Sequence, residues 1–459
     1  MPTTQRLADS AVADLRQKLA GTLALPNEAG YELSTPWNQS VTMSPAAVVS
    51  AAHADDVAAA VRWASSNGLR VAVQATGHGA VPYGQDVLLI HTGRLKRCNI
   101  SIDEHTAKVG AGVSSQQLID ASAPFGLAPL VGTAGDVGFV GFLSGGGIGA
   151  MAATFGLSSD YVRSLEVVTG QGEKYHVTPS EHADLFWGLR GSKTTLGIIT
   201  EVEIELPFLP TFYGGALYFD GADFSQVLNA WAEWSDSLPN VAATALSVLQ
   251  LPNMPFVAPE LAGRLVVAVR LATAVSVVEA ERLLAPIRAV ARPIKDTIAA
   301  RPYSDITSIH DEPTMPVPVQ KDLTLLQSLP SEAVDTLAGT AGPQSRSPML
   351  VVTLRRLGGA LASSSAAPSV FSHREAAYMV HTVGLNVPSD RQIVADAGRR
   401  IHDALRPWAI DGIFANFVAT TNPDRLRTAY NEVSLRRLQA MAQQYDPLGI
   451  LATVGQLAR

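Results

Sequence analysis

The segment ATGHGA, residues 75–80, places a histidine between two glycines directly after the apolar run LRVAVQ at 69–74. Because glycine has no Cβ, its presence on both sides leaves the backbone and the ring of His78 open to a bound group. Three roles fit an imidazole in that setting: a hydrogen-bonded turn residue, a catalytic base, or an anchor for a bound molecule. The segment by itself leaves all three open.

A second stretch, residues 129–160, has the densest glycine content in the chain. Backbone N–H groups that no side chain shields can bind phosphate oxygens. GGGIGA at 145–150 matches a relaxed dinucleotide-binding pattern, but no clear strand precedes it and no acidic residue closes a following βαβ unit. This argues against a nicotinamide dehydrogenase. The alternative is that these glycines only pack a tight loop and bind no ligand.

Two separated glycine turns, 75–80 and 132–149, each adjoin a strand pattern. Such a pair can hold a pyrophosphate between main-chain amides without any lysine. The favoured interpretation is therefore a bulky, phosphate-bearing cofactor with His78 beside it.

Other potentially reactive residues are better explained by structural roles. A single cysteine, Cys98, excludes an internal disulfide and a multi-cysteine metal site, and its setting indicates a half-buried structural thiol. The run HDEP from His310 precedes a proline-rich loop and predicts a solvated turn, so no metal site is expected. His91, at the end of a strand pattern, is interpreted as structural.

Composition sets the outer limits. The 459 residues are 47% hydrophobic and 16% charged, with no apolar run of 18, which indicates a globular chain of two or three domains and no membrane partner. A net charge of −7 without a basic stripe excludes nucleic acid as an expected partner. The amino terminus predicts an amphipathic helix without a signal peptide, so a cytoplasmic location is expected. Oligomeric state cannot be read from the sequence.

Periodicity predicts the elements around these turns. Residues 45–74 read as strand–helix–strand, 162–178 as a hairpin, and 197–207 as a strand ended by a proline. From 211 to 330 strands alternate with helices and prolines, which indicates a second α+β unit with antiparallel strands. The tail predicts a short strand, GIFANFV at 412–418, and an amphipathic helix, VSLRRLQAMAQQYDP, that packs back on an earlier domain.

These motifs resemble a known family. QATGHGA at 74–80 is similar to the R-x-G-G-H-x turn of the vanillyl-alcohol oxidase, or p-cresol methylhydroxylase (PCMH)-type, superfamily of flavoproteins. Further segments that match at family spacing begin GTAGDVG at 132, DLFWGLRG at 184, GGALASSS at 358 and QQYDPLGIL at 443. Together they resemble the berberine-bridge-enzyme-like branch, which includes bacterial 6-hydroxynicotine oxidases.

The resemblance implies an α+β fold with a two-part PCMH-type FAD-binding domain and a substrate domain whose antiparallel sheet is flanked by helices. The implied boundaries are 1–208 for the FAD-binding part, with its core at 40–208, then 209–411 for the substrate domain, and 412–459 for a segment that returns to the FAD-binding domain.

The same resemblance gives His78 a role, because the family's histidine at this place bonds to the flavin 8α-methyl carbon. FAD held covalently through one histidine is therefore expected; the alternative keeps His78 as a turn residue beside non-covalent FAD. The family's second tether, a cysteine, is here Ala134, and its usual arginine is Gln74. The residues expected to contact the cofactor are His78, Gln74, Ala75, Thr76, Gly77, Gly79, Ala80, Thr133, Ala134, Val137, Gly138, Gly141, Ser144, Gly145, Gly149, Gly197, Ile199 and Asn416.

The implied activity is that of an oxidase: hydride passes from a C–H next to O or N to flavin N5, and O2 re-oxidises the flavin to give H2O2. Val137 stands where the family controls oxygen access. The family's tail tyrosines are replaced by Phe414 and Phe417, so any base must come from elsewhere. By residue type the candidates are Tyr378, His373 and Tyr83.

The expected partners are a small-molecule substrate and O2. The sparse charges of the middle domain favour a neutral or hydrophobic molecule, for example a secondary metabolite, whose identity the sequence does not give. The alternative function is a flavin-containing biosynthetic cyclase or a dehydrogenase in which O2 reduction is not the main reaction.

Overall fold

A computed structural model describes residues 7–255, 257–363 and 368–452. In these residues the chain forms three sheets, and chain order assigns the strands to them one sheet after another. The first four strands are β1 Thr22–Ala24, β2 Ala47–Ser50, β3 Arg70–Gln74 and β4 Val87–His91. The next five are β5 Cys98–Ser101, β6 Thr106–Gly110, β7 Val162–Val168, β8 Lys174–Val177 and β9 Ile198–Glu205. The third sheet contains β10 Thr211–Asp220, β11 Ala242–Gln250, β12 Leu265–Thr273, β13 Lys295–Asp296, β14 Ala299–Pro302, β15 Val319–Leu326, β16 Val351–Arg356, β17 Tyr378–Leu385 and β18 Ala409–Ile410.

The α-helices of the described residues are α1 Asp9–Lys18, α2 Ala54–Ser66, α3 Ser115–Ser122, α4 Phe139–Leu143, α5 Ala152–Phe155, α6 Ala183–Leu189, α7 Phe224–Ser237, α8 Val277–Arg288, α9 Ser331–Ala341, α10 Arg391–Ala404, α11 Pro423–Arg427 and α12 Glu432–Tyr445. Among these helices, none is long and apolar enough to cross a membrane. Residues 1–6, which belong to the predicted amino-terminal helix, lie outside the described residues.

The first sheet, in the order β1-β2-β4-β3, presents the His78 turn. β2 and β3 both run parallel to β4, and α2 makes the crossover between them. Gly68 ends α2 at φ 67°, a left-handed conformation that glycine adopts without a Cβ clash. The predicted strand–helix–strand is thus confirmed. ATGHGA begins where β3 ends at Gln74, so the turn leaves from the carboxyl end of a buried strand.

The second sheet has the order β5-β6-β9-β7-β8 and is antiparallel throughout. The predicted hairpin is β7–β8, and the predicted strand at 197–207 is β9. The glycine stretch at 132–149 leaves this sheet and carries the short helix α4 before the chain returns in β7.

The third sheet follows the order β13-β10-β12-β11-β16-β17-β15-β18, with β14 also pairing β10, and all its pairings are antiparallel. Strand alternation separates its residues into two faces. One face, with Tyr378, Val380 and Leu354, packs in a single core with helices α7 to α10. The other, with Leu323 and Met379, joins the core of the first two sheets. The predicted α+β class with an antiparallel sheet flanked by helices is confirmed.

The tail corrects one expectation. Residues 412–418, GIFANFV, form no strand and instead make turns, with Phe417 N donating to Phe414 O at 2.9 Å. Their alternation of apolar and polar residues resembles a strand, but Phe414 stacks on Phe371 and Asn416 bonds the main chain of α4. Tertiary contacts, and not strand pairing, thus hold this segment. The predicted helix after it is α12, and Leu451 then pairs in parallel with Val71 of β3.

Candidate cofactor and substrate site

The two glycine turns lie side by side. The N–H of Gly138, in the second turn, donates to Thr76 Oγ1 in the first at 3.2 Å. A Cβ added to Gly138 would come within 3.1 Å of Ala75 Cβ, so glycine allows this close approach of the two backbones. Residues that are 62 positions apart therefore form one surface.

His78 lies at the junction of these turns. Its Nε2 is 3.1 Å from Asp136 Oδ2, and the two side chains are only 14% and 28% exposed. The imidazole also stacks on Trp37 with ring centres 4.2 Å apart and planes inclined by 20°. Asp136 and Trp37 were not among the residues singled out from the sequence. Asp136 could have been found, because it is the only acidic residue in the stretch 132–149.

Glycine is required in the first turn at position 77. Gly77 has φ 79°, and a Cβ there would lie 2.6 Å from Pro36 Cα. The N–H of Trp37 donates to Thr76 O at 3.2 Å, so the segment at 36–37 is held against the turn. This contact positions the Trp37 ring over His78.

Several polar atoms at this junction are buried and have no hydrogen-bond partner within the described residues. They are Trp37 Nε1, His78 Nε2, Asp136 Oδ1 and Gln74 Oε1. The His78–Asp136 pair is close, but its angles do not make a hydrogen bond. Buried polar groups are normally satisfied, so unpaired atoms clustered at one place fit a site whose partner is a bound polar group. Together with the glycine backbone, they fit a phosphate-bearing cofactor such as FAD.

Three further residues of the first turn, Gln74, Gly79 and Ala80, were expected to contact the cofactor. Gln74 Nε2 donates to Leu33 O at 3.1 Å, which fixes the side chain that replaces the family's arginine. Ala80 N donates to Gly77 O at 3.3 Å and closes the turn. Gly79 has no neighbouring atom within 4 Å of an added Cβ, so space lies beside it.

In the second turn, Ala134 is 8% exposed and Val137 is half-buried against the core. The carbonyl of Val137 accepts the N–H of Ser115 at 2.9 Å, which anchors the turn to α3. The hydroxyl of Thr133 donates to Glu312, so the side chain of this expected cofactor residue contacts the third sheet's loop.

A lysine that the sequence analysis missed organises the end of this stretch. Lys193 Nζ donates to Gly141 O at 3.0 Å and to Asn416 Oδ1, while Asn416 Nδ2 donates to Phe142 O at 2.8 Å. Burial lowers the pKa of Lys193 to about 8. An added Cβ at Gly145 would meet Asn416 and the Lys193 chain, so these residues pack against bare backbone. Ser144 bonds Gly141 O through its hydroxyl and Lys193 N through its carbonyl.

Gly197 and Ile199 lie on the second sheet. An added Cβ at Gly197 would be 2.6 Å from Val167 Cγ2, and Ile199 is 5% exposed and pairs with Val167 in the β7–β9 ladder. Close packing on this side of the sheet accounts for a glycine at position 197 and an apolar residue at position 199. Gly149 lies against Val131 and lines the cavity described below.

The three candidate bases are not brought together. Tyr378 faces the helix-covered side of the third sheet, 5% exposed, with its hydroxyl 3.1 Å from Ser235 Oγ. Burial raises the pKa of Tyr83 to about 12, and this tyrosine packs on the first sheet. His373 donates from Nε2 to Thr428 O at 2.8 Å, so that nitrogen holds its proton. Residue type suggested a base at these positions, whereas their surroundings make all three structural.

The face of the third sheet that looks toward the glycine turns is cationic. It carries Arg270 on β12, Arg355 on β16, His381 on β17 and Lys321 on β15. The Lys321 ammonium lies 5.6 Å from the centre of the Trp37 ring, which itself stacks on His78. This face is more charged than the composition of the middle domain suggests.

Burial sets the charge states on this face. It lowers the pKa of His381 to about 3, with Lys321 and Arg355 adding to the effect, so the imidazole is neutral. Burial also lowers the pKa of His310. The pKa of Arg355 is lowered to about 10 by burial, which leaves the guanidinium charged at neutral pH. Within the described ranges, no group of three or more His, Cys, Asp or Glu is placed to hold a metal ion.

A cavity lies between this face and the end of the glycine stretch. One wall is built from Arg270, His310 and Arg355, and the other from the small residues of 148–153. Phe417 stands at its side, with its ring 5.9 Å from the Arg355 guanidinium carbon and 5.4 Å from the His381 ring.

Comparison with known proteins finds sequences that are similar to this chain. The FAD binding domain model matches residues 45–178, which span both glycine turns. The chain is 28% identical over 307 residues to (R)-6-hydroxynicotine oxidase of Paenarthrobacter nicotinovorans, covering 64% of each chain. Residues 45–178 thus match an FAD binding domain, and the chain is similar in sequence to this oxidase. The predicted resemblance to 6-hydroxynicotine oxidases is confirmed.

Solved structures share the fold along nearly the whole chain. Physcomitrella patens BBE-like 1 superposes with a TM-score of 0.82 at 18% identity, covering 96% of this chain and 97% of that one. Glucooligosaccharide oxidase from Acremonium strictum, which carries a 6-S-cysteinyl, 8α-N1-histidyl FAD, gives 0.80 at 20% identity and covers 97% and 98%. In sequence, the match spans 64% and 42% of the lengths of the first two curated relatives.

Proposed function

We propose that this protein is an FAD-dependent oxidase acting on a C–H bond next to O or N in a small molecule. The observation that carries the proposal is the junction of the two glycine turns, where His78, Asp136 and Trp37 meet with buried polar atoms left unpaired. The relatives' names, which are FAD-dependent oxidases and oxidoreductases, support the same class.

Bound FAD would supply the redox chemistry, taking a hydride from the substrate and passing two electrons to O2, which with two protons becomes H2O2. The protein supplies placement. Main-chain N–H groups of the turns at 75–80 and 132–138 would hold the phosphates, since no lysine or arginine projects from either turn. Lys193 and Asn416 brace the main chain of α4 and Gly145.

His78 is proposed as the covalent anchor. Asp136 Oδ2 lies 3.1 Å from Nε2 without hydrogen-bond geometry, and a rotation of its carboxylate would hold a proton at that nitrogen and leave Nδ1 as the nucleophilic position. Trp37 fixes the plane of the ring by stacking. A single bond is proposed, because the family's cysteine position is Ala134. The comparison with an oxidase that carries a histidyl FAD supports this assignment.

No base is assigned in the proposed reaction. The phenols and imidazole selected by residue type are held in structural contacts, and the tail offers Phe414 and Phe417 in place of hydroxyls. An amine substrate in its neutral form, or an alcohol whose proton leaves to solvent, needs no strong base in contact with it.

Two measurements test this proposal. Purified protein should be yellow, and after acid precipitation the flavin should stay with the polypeptide, with the mass of the peptide containing His78 raised by the mass of FAD. An aerobic screen for H2O2 over secondary alcohols, sugars, cyclic amines and polyketide-like phenols should then find a substrate. Colourless protein with an unmodified His78 peptide would refute the proposal.

A second function is favoured by one observation, the loss of both tail hydroxyls at Phe414 and Phe417. A biosynthetic cyclase or a dehydrogenase would keep the flavin but not use O2 as its main acceptor. Anaerobic bleaching by a substrate, followed by slow recovery of colour in air, would favour the dehydrogenase. Product formation without any bleaching would favour a cyclase.

A further inference from the structure

The cationic face contains two buried arginines that no carboxylate neutralises by direct contact. Arg270 is 5% exposed and Arg355 is 9% exposed. Their hydrogen bonds run to neutral oxygens: Arg270 to Ile309 O at 3.1 Å and Ser247 Oγ at 2.6 Å, and Arg355 to Ile148 O at 3.5 Å. Among the described residues neither guanidinium lies within ion-pair distance of an acid.

Burial of these two guanidinium groups is unfavourable unless they bind a group of opposite charge. Removing a guanidinium from water is strongly unfavourable, and a neighbouring carboxylate normally offsets this penalty. Glu312 is an acid that acts electrostatically on both arginines, but it does so without direct contact. Its carboxylate accepts a hydrogen bond from the Thr133 hydroxyl. Buried, unneutralised charge in a cleft is typical of a site that binds the opposite charge.

The arginines also line a small cavity, whose free volume of about 30 Å³ is space for a group no larger than a carboxylate. Both line the cavity, which faces them with the small residues Gly149, Ala150 and Ala153. Arg355 uses one of its nitrogens, in a long bond to Ile148 O, so the rest of its fork is available on this side. The imidazoles of His310 and His381 are neutral and add no competing positive charge.

We propose that Arg270 and Arg355 bind an anionic group of the substrate, a carboxylate, at the end of the cavity. The planar fork of arginine matches a carboxylate in two parallel hydrogen bonds, which an ammonium cannot do. The substrate is then an amine or alcohol that carries a carboxylate, in place of the neutral or hydrophobic molecule that the composition favours. This inference rests on the proposed oxidase function, because it assigns the cavity to the substrate.

The roles of the two arginines differ. Arg270 also ties the His310 loop to β11 through Ile309 and Ser247, so its loss would disturb the sheet. Arg355 has few other bonds, which makes it the residue to change. The probe is benzoate, with benzamide as the neutral molecule of the same shape, titrated into the flavin-containing protein by calorimetry.

The expected result is that benzoate binds and benzamide does not. Arg355→Met should weaken benzoate binding by at least about tenfold, as loss of a hydrogen bond to a charged group does, and Arg355→Lys should restore part of it. Arg264→Met is the matched control: Arg264 directly precedes β12 at an exposed end of that strand, paired with Asp220, and should leave the benzoate Kd unchanged.

Two results would overturn the inference. One is equal binding of benzamide and benzoate. The other is an unchanged benzoate Kd in Arg355→Met, in particular with a shifted flavin spectrum, which would assign the arginine to the cofactor. Flavin content measured on the same preparation separates this inference from the proposed function: protein without flavin fails as an oxidase whatever benzoate does, and flavin-loaded protein that ignores benzoate fails only here.

Discussion

Nε2 of His78 lies 3.1 Å from Oδ2 of Asp136, joining two glycine turns that are 58 positions apart in the chain. The pair is partly shielded from solvent, with the two side chains 14% and 28% exposed. A carboxylate against one imidazole nitrogen sets the tautomer and makes the other nitrogen the reactive one. The pair therefore supports the proposal that His78 is the covalent anchor.

Changing the anchor tests the proposal directly. In His78→Ala the flavin should leave the polypeptide on acid denaturation, because no nucleophile remains at the junction, and turnover should fall sharply. The measurement is flavin absorbance in the supernatant and in the pellet. His176→Ala, a change at an exposed histidine paired with Glu166, should keep its flavin in the pellet. Flavin that stays covalently bound in His78→Ala would move the anchor elsewhere.

Asp136 is expected to act through His78. Asp136→Asn keeps the shape of the side chain but removes its charge, so the tether should form more slowly and a larger fraction of the flavin should be released by acid. The time course of covalent incorporation, followed by mass spectrometry of the protein incubated with FAD, measures this. The control is Asp86→Asn, at an exposed pair with Arg70. Equal rates in wild type and Asp136→Asn would limit Asp136 to a structural role.

Val137 lies in the second turn next to Asp136, half-buried against the core. If it borders the path of O2, Val137→Leu should slow re-oxidation of the reduced flavin more than its reduction, since a larger side chain fills the space that a small molecule needs. Stopped-flow measurement separates the two half-reactions. Equal slowing of both would contradict the oxygen-access role.

Gly145 offers a test of the braced main chain. An added methyl would lie 2.7 Å from Lys193 Cε and would press on the Asn416 amide. We expect Gly145→Ala to lower the free energy of unfolding by about 1–3 kcal/mol, as overpacking does, and to lower flavin content. Gly141→Ala is the matched control, because nothing lies within 4 Å of an added methyl there. Thermal unfolding with flavin quantification measures both variants, and equal stability would contradict the close contact.

Lys193 should make stability depend on pH. Burial lowers its pKa to about 8 in the folded protein, against an ordinary value of 10.5. Below pH 8 the amine is charged in both states and its burial is unfavourable. As pH rises from 8 to 10.5 the folded protein loses this proton first, so the free energy of unfolding should rise relative to that of Lys193→Met. Unfolding curves of both proteins across this range test the sign; a difference independent of pH would contradict the lowered pKa.

Much of the local structure could be predicted because it depends on neighbouring residues. Alternation and helical periodicity gave β3, β9, α2 and α12, and glycine content marked the turns at 75–80 and 132–149. His78 was identified as the central residue of the first turn from its two flanking glycines. These features follow from backbone sterics and from side-chain periodicity, which act within a few residues.

Prediction from the sequence alone fails at two places. GIFANFV alternates like a strand, yet its aromatic and amide groups are held by Phe371 and Phe142. Tyr378 is a good base by type, but strand parity turns it to the helix-covered face, while His381, three residues on, faces the cavity side. Each outcome depends on contacts with residues far away in the chain.

The sequence by itself indicated the resemblance to FAD-linked oxidases, the two glycine turns and the histidine in the first of them, because these are set by short stretches whose chemistry is local. Only the tertiary structure decided what surrounds that histidine and what faces it. Lys321 reaches Trp37 across 284 positions, and Arg270 and Arg355 share one wall because β12 and β16 both pair with β11. Sheet register and the packing of one sheet face against the glycine turns fix these neighbours, and neither is a property of any short stretch of sequence.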